Sequence, residues 1–208
     1  MTLFIDGRVP GPGDMERLRL LLSTFQDGTG MLDGGQAPGW RDFERAAASW
    51  LGGAASESKH IYDVHCQTSD GRLYGFSCKM RGTLSETRRR GDATIEVSNS
   101  AKKLWDGLKA VGINEENLMV SDAGLAGATI ISTVEGWHLA VSTPGGGSFM
   151  AEHSPMLHLA YSARTGEYQL FVFDRHLPSV SETAALIWTV TGNRLLGLRP
   201  DGNRGVEW

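Results

Sequence analysis

Hydrophobic positions along the chain recur at helical spacing in some stretches and alternate with polar ones in others. Leu18, Leu21, Leu22 and Phe25 share one helical stripe in DMERLRLLLSTF, residues 14–25, which predicts a first helix. The Gly-rich stretch from Gln26 to Gly39 shows no period and predicts a loop. WRDFERAAASWLGG predicts a second helix closed by Gly52 and Gly53, with Trp40, Ala47 and Leu51 on one stripe. Alternation then takes over in HIYDVHCQT and RLYGFSCKM, separated by Ser69-Asp70-Gly71, a hairpin signature. Residues 81–92 read as a polar, arginine-bearing loop. TIEVSNSAKKLWDGLKAVG begins strand-like and turns helical, with Ser98 or Asn99 as N-cap and Gly112 as stop. Ala101, Leu104, Trp105 and Leu108 are its expected buried stripe.

Beyond it, GATIISTV, GWHLAVST, MLHLAYSAR, YQLFVFD and LIWTV predict strands, with a turn at Thr165-Gly166. Pro144-Gly145-Gly146-Gly147-Ser148 lacks the GK[ST] ending of a phosphate loop and reads as a flexible connection. Helix, hairpin, helix and then strands predict an α/β or α+β fold: a mixed central sheet flanked by helices, with additional C-terminal strands. The expected organisation is a single domain over residues 1–208, with a core at about 40–120 and a β-rich part at about 125–208.

Composition narrows this modestly. With 40% hydrophobic and 21% charged residues, the chain can bury an ordinary globular core. No apolar run reaches membrane-spanning length, and the N-terminal sequence lacks a secretory pattern. Cys66 and Cys78 form neither a disulfide framework nor a metal knuckle, so the expectation is a soluble, cytoplasmic protein with reduced thiols. A net charge of -4 argues against a generic nucleic-acid coat protein, but it leaves room for a carboxylate-built metal site.

Three polar residues stand where packing does not call for them. Glu44 is the i+4 member of the Trp40 stripe, where a carboxylate is costly unless it is paired or faces a polar cavity. The alternative is a helix rotated so that Glu44 meets solvent or Arg41. Asp63 interrupts a good strand sequence, and Lys79 ends its partner strand; edge strands alone could account for either. A two-residue Asp70-Gly71 turn would set Asp63 against Cys78 and send Lys79 to the opposite side. A three-residue loop with left-handed Gly71 pairs Thr68 with Arg72 and sets Asp63 across from Ser77, so that Asp63, Ser77 and Lys79 converge. The Ser-Asp-Gly sequence favours the second register. A carboxylate holding a divalent cation beside a lysine suits phosphodiester hydrolysis, and magnesium calls for a further acid, Glu44 or Glu96.

On these residues the chain resembles a family. YDVHCQTSDGRLYGFSCKMR looks like the PD-(D/E)XK nuclease motif, with Asp63 as first acid and Ser77-Cys78-Lys79 in the (D/E)XK position. Ser77 replaces the usual second acid. A subset of type II restriction endonucleases shares that departure and draws a glutamate from the following helical segment, here Glu96. Family members also carry a glutamate on the preceding helix, here Glu44. LLSTFQDGTGM, PGWRDFERAAA and IEVSNSAKKLW are similar to restriction-endonuclease sequences as well, and the core resemblance spans about residues 40–112.

The resemblance implies a restriction-endonuclease-like core and magnesium-dependent cleavage of double-stranded DNA, with manganese as a possible substitute. It implies metal ligation by Asp63, Glu96 and the Cys78 carbonyl, with Lys79 acting on the water or the transition-state charge and Glu44 and Ser77 within the site. It also implies a homodimer, one active site per strand. Glu86 and Asp92 are weaker candidates for the second acid. Arg81, Arg88, Arg89, Arg90, Lys102 and Lys103 read either as solvated surface or as a phosphate clamp. Arg164, Arg175, Arg194 and Arg199 are the region in which to look for base readout, and His65 reads as structural. Three other readings remain open: a repair or mobile-element nuclease on the same core, a non-catalytic DNA-binding or regulatory protein on a decayed core, and an unrelated α+β interaction domain.

Overall fold

The computed structural model describes residues 3–5, 8–24, 39–56, 61–90, 101–150, 155–162, 164–173, 179–191, 194–202 and 204–207. The chain divides into two compact units, one of Met1–Glu96 with Val141–Arg175, the other of Val97–Ala140 with His176–Trp208. Each unit is therefore built from two separate segments of chain.

The first unit is a mixed sheet with helices. Helix α1 spans Pro12–Thr24 and α2 spans Trp40–Leu51, ending where Gly52 adopts a left-handed φ of 72° and returns its N–H to Ala48. Strands β1 (Ala54–Ala55), β2 (Val64–Gln67), β3 (Leu73–Arg81), β4 (Met156–Tyr161) and β5 (Tyr168–Phe173) form one sheet in that order. All neighbours are antiparallel except β3 and β4, which run parallel with Lys79 beside His158. Leu18, Leu22, Phe43, Ala47, Trp50 and Leu51 of the helices close over Val64, Cys66, Tyr74, Phe76, Cys78, Leu157 and Leu159. Alternate positions of the strands thus fill one core. A short helix, α3 (Leu84–Arg90), follows β3.

The second unit packs α4 (Ala101–Ala110) and α5 (Ala123–Val141, whose last residue belongs to the first unit) with β6 (Ile187–Thr191), β7 (Arg194–Leu198) and β8 (Arg204–Glu207). Helix α6 (Val180–Thr183) precedes β6 and is capped by Ser179, whose hydroxyl accepts from Glu182 N–H. Leu104, Leu108, Ile113, Ala126, Ile130, Val134 and Leu195 make this unit's core. Gly127 is required here, because a Cβ would sit 2.2 Å from the Trp188 ring.

Helices α1, α2 and α4, the β2–β3 hairpin, and β4, β5 and β6 follow the expected elements. Leu104 and Leu108 are buried as expected, and Gly112 stops α4 with a φ of 81°. The Gln26–Gly39 loop (apart from Gly39), the strand-like start before α4 and its N-cap lie outside the described residues. Three expectations are overturned. GATIISTV and all of GWHLAVST but its last two residues are helix α5, not strands. Ala126, Ile130 and Val134 recur every four residues and are buried, with Ile131 beside them, and Asp122 caps the start by accepting from Gly124 and Leu125 N–H at 2.8 and 3.1 Å. Residues 84–90 are helix rather than loop, with Leu84 and Thr87 buried at i and i+3. The stretch Pro144–Ser148 belongs to a tight turn rather than a flexible connection. Gly147 N–H reaches Ser142 O at 2.8 Å, Phe149 N–H reaches Val141 O at 3.0 Å, and a Cβ on Gly147 would meet the Val141 backbone at 2.2 Å.

Candidate functional site

The hairpin register decides which side chains meet. Thr68 N–H donates to Arg72 O at 2.9 Å, Gly71 N–H donates to Thr68 O at 2.9 Å, and Gly71 has a φ of 84°. The connection is therefore the three-residue loop with left-handed glycine, and Val64 pairs with Phe76. One step beyond that pair, Asp63 lies across from Ser77, with its N–H donating to Phe76 O at 2.9 Å.

The Asp63 side chain has a clear local reason. Strand β2 starts at Val64, so the Cys78 N–H on β3 has no ladder carbonyl to meet on that side. Asp63 Oδ2 takes the carbonyl's place and accepts from Cys78 N at 2.7 Å. Aspartate is disfavoured in a strand, yet here it completes one. Gly75 lets Tyr62 lie flat against the hairpin, since a Cβ would stand 2.1 Å from that ring.

Electrostatics tie the site together. Burial raises the Asp63 carboxyl above its ordinary value, against the Cys78 N–H and the positive charges of Lys79 and His65, which lower it. On α2, burial and the Asp63 charge push Glu44 up to about 7, while Lys79, Arg41 and Arg45 act in the opposite direction. The Asp63 charge thus raises the proton affinity of Glu44, and the Lys79 charge acts on both carboxylates, a pattern of the kind found at functional sites. Buried Ser77 and half-exposed Lys79 follow along β3. Cys66 is pushed up to about 11 by burial, and Cys78 well up by burial and then by the Asp63 and Glu44 charges; both thiols are inert, free and buried.

The described structure thus brings together Asp63, Ser77, Cys78, Lys79 and Glu44. Glu96 and Asp92 lie outside the described residues. Among the described residues no three His, Cys, Asp or Glu side chains are arranged to hold a metal ion. Glu44 carries the Trp40 stripe differently from expectation: Ala47 and Leu51 are buried, but Trp40 is 61% exposed. The basic residues fall in both units. Arg81 is exposed at the end of β3, and α3 carries Arg88, paired with Glu167 at 3.0 Å, exposed Arg89, and Arg90, paired with Glu86 at 3.2 Å. Lys102, paired with Asp106 at 2.8 Å, and Lys103, 5.3 Å above the Trp137 ring, belong to the second unit. His65 packs on Phe149 with ring centroids 4.8 Å apart, a structural role.

Two residues were not foreseen. His158, 1% exposed, stands beside Lys79 on β4 because β4 pairs in parallel with β3, a long-range relation that no local pattern carries. Exposed Trp40 could have been flagged from its place directly after Pro38-Gly39, at the first position of a helix. No helix of the described residues is long and apolar enough to cross a membrane. No family model matches the chain, and no match is found among curated proteins or solved structures.

Proposed function

We propose that the chain is a magnesium-dependent endodeoxyribonuclease of the PD-(D/E)XK type, in the manner of a type II restriction endonuclease. The observation that carries the reading is the register that sets Asp63 across from Ser77, with Lys79 near enough for its charge to act on both Asp63 and Glu44. The order α2, antiparallel hairpin, helical crossover and parallel β4 also supports it.

The donor set suits magnesium, which keeps several waters and takes one or two carboxylates. Asp63, Glu96 and the Cys78 carbonyl would hold it, with Glu44 supporting the site. A bound divalent cation supplies Lewis-acid polarisation of a phosphate and a more acidic water. Asp63 is held for this task by the Cys78 N–H, which fixes the carboxylate through Oδ2. Glu44, poised near neutrality, accepts a proton or a positive charge. Lys79 orients the attacking water by hydrogen bonding and offsets negative charge developing on the phosphate oxygens. Ser77 lends no charge.

The test is incubation of plasmid or phage DNA with the purified protein, with and without magnesium or manganese, alongside Lys79→Ala. Discrete magnesium-dependent fragments, absent in the variant, are the expected result; a continuous smear of fragments moves the reading to a repair-type or mobile-element nuclease without site preference. Ser77 in the acid position favours a second reading, a DNA-binding protein that no longer cuts. DNA retention without cleavage under either metal is its signature.

A further inference from the structure

We propose that Trp40 is a stacking platform for an unpaired nucleobase, placed one helical turn from the candidate site. Trp40 is 61% exposed, an unusual condition for the largest aromatic side chain. The Arg41 guanidinium lies 5.0 Å from the ring centroid and occupies one face of the indole. A flat π-surface backed by a cation is the arrangement that holds nucleobases without regard to sequence. The platform is also fixed in place. Trp40 is the first residue of α2, and Gly39 N–H ahead of it is held by Asp42 Oδ2 at 2.8 Å, with Phe43 N–H donating to Gly39 O at 3.1 Å.

Its position supplies the second argument. Glu44 is four residues on and lies on the same side of the helix as Trp40. The Glu44 carboxylate feels Asp63, Lys79, Arg41 and Arg45. The indole, the two arginines and Glu44 therefore lie within two turns of one helix, and the charges of Asp63 and Lys79 on the hairpin act on Glu44. A phosphate beside Lys79 leaves its neighbouring base within reach of the indole, provided that base has left the duplex stack, as it does in single strands or after flipping. Arg41 and Arg45 are the phosphate-facing cations of such a strand.

This inference rests on the nuclease reading for its substrate, and the experiment separates the two. A short single-stranded DNA carrying a central 2-aminopurine is titrated with the full chain in EDTA, and plasmid cleavage is followed separately in magnesium. The wild type is expected to quench the probe. Trp40→Ala is expected to bind about tenfold more weakly with little quenching, the equivalent of roughly 1.4 kcal/mol of stacking, while Trp40→Phe restores most of both. Because Trp40 is exposed, the thermal melt of each variant stays that of the wild type. Equal probe affinity for wild type and Trp40→Ala, or no probe binding at all, overturns the platform whatever the cleavage assay gives. Trp40-dependent binding without cleavage upholds the platform and overturns the nuclease reading.

Discussion

Replacement of Glu44 by glutamine tests the electrostatics of the site without any assumption about substrate. Glutamate ordinarily titrates near 4.5, and in the folded chain Glu44 is pushed up to about 7. A group with a raised folded pKa contributes its full stability below the unfolded value and loses it as the pH rises through the folded one. Glu44 therefore weakens the fold progressively between pH 4.5 and about 7 and is a constant liability above. Taken at face value the interval is worth roughly 3.4 kcal/mol at about 1.36 kcal/mol for each pH unit. The side chain is only half-buried, and solvent screening brings the figure to about 1 to 2 kcal/mol. For a chain of this size that corresponds to about 3 to 6 °C in Tm. In EDTA, Glu44→Gln is expected to melt higher than the wild type by that amount at pH 8 and to match it near pH 4.5. Asp63 and His158 also titrate with shifted values, the first raised and the second lowered by burial and Arg81. Both groups remain in the variant, so the difference between the two melting curves isolates Glu44. A difference that is flat with pH, or a variant less stable at pH 8, refutes the proposed clash of carboxylates.

Two substitutions on the hairpin read the geometry directly, and both are followed by urea denaturation. Asp63→Ala leaves the Cys78 N–H without its acceptor and should cost about 1 to 3 kcal/mol, whereas Asp63→Asn keeps an acceptor and should cost less. Equal loss in the two variants removes the hydrogen bond from the explanation. Gly75→Ala drives a methyl group into the Tyr62 ring, which a Cβ would approach to 2.1 Å, and should cost about 1 to 3 kcal/mol. A neutral outcome there means that Tyr62 is free to move.

The sequence made the local parts of this site legible. The hairpin register followed from Ser69-Asp70-Gly71, because a glycine at the third loop position takes the left-handed conformation that the bulge needs. Helix α2 was readable from its period and its closing glycines. Helix α5 was not, because Thr129-Ile130-Ile131-Ser132-Thr133-Val134 has the β-branched content of a strand. Burial of Ala126, Ile130 and Val134 at helical spacing overrides that propensity. Asp63 was noticed for the right position but without its local cause, since the missing ladder carbonyl depends on where β2 begins. The His158 neighbour of Lys79 depends on a parallel strand pairing that no window of sequence contains.

The interleaving of the two units has a consequence for how the chain is made. On the ribosome the hairpin emerges early, but β3 keeps an open edge until β4 has left the exit tunnel, after the whole of α5. The second unit is likewise incomplete until β6 and β7 follow. High contact order of this kind slows folding, and it leaves Ser77, Lys79 and Arg81 on the open edge of β3 throughout synthesis of the intervening helices. A fragment ending after Ala140 would carry Glu44, Asp63 and Lys79 yet lack the strand that buttresses them. Expression trials should therefore keep the chain whole rather than cut at either boundary between the units.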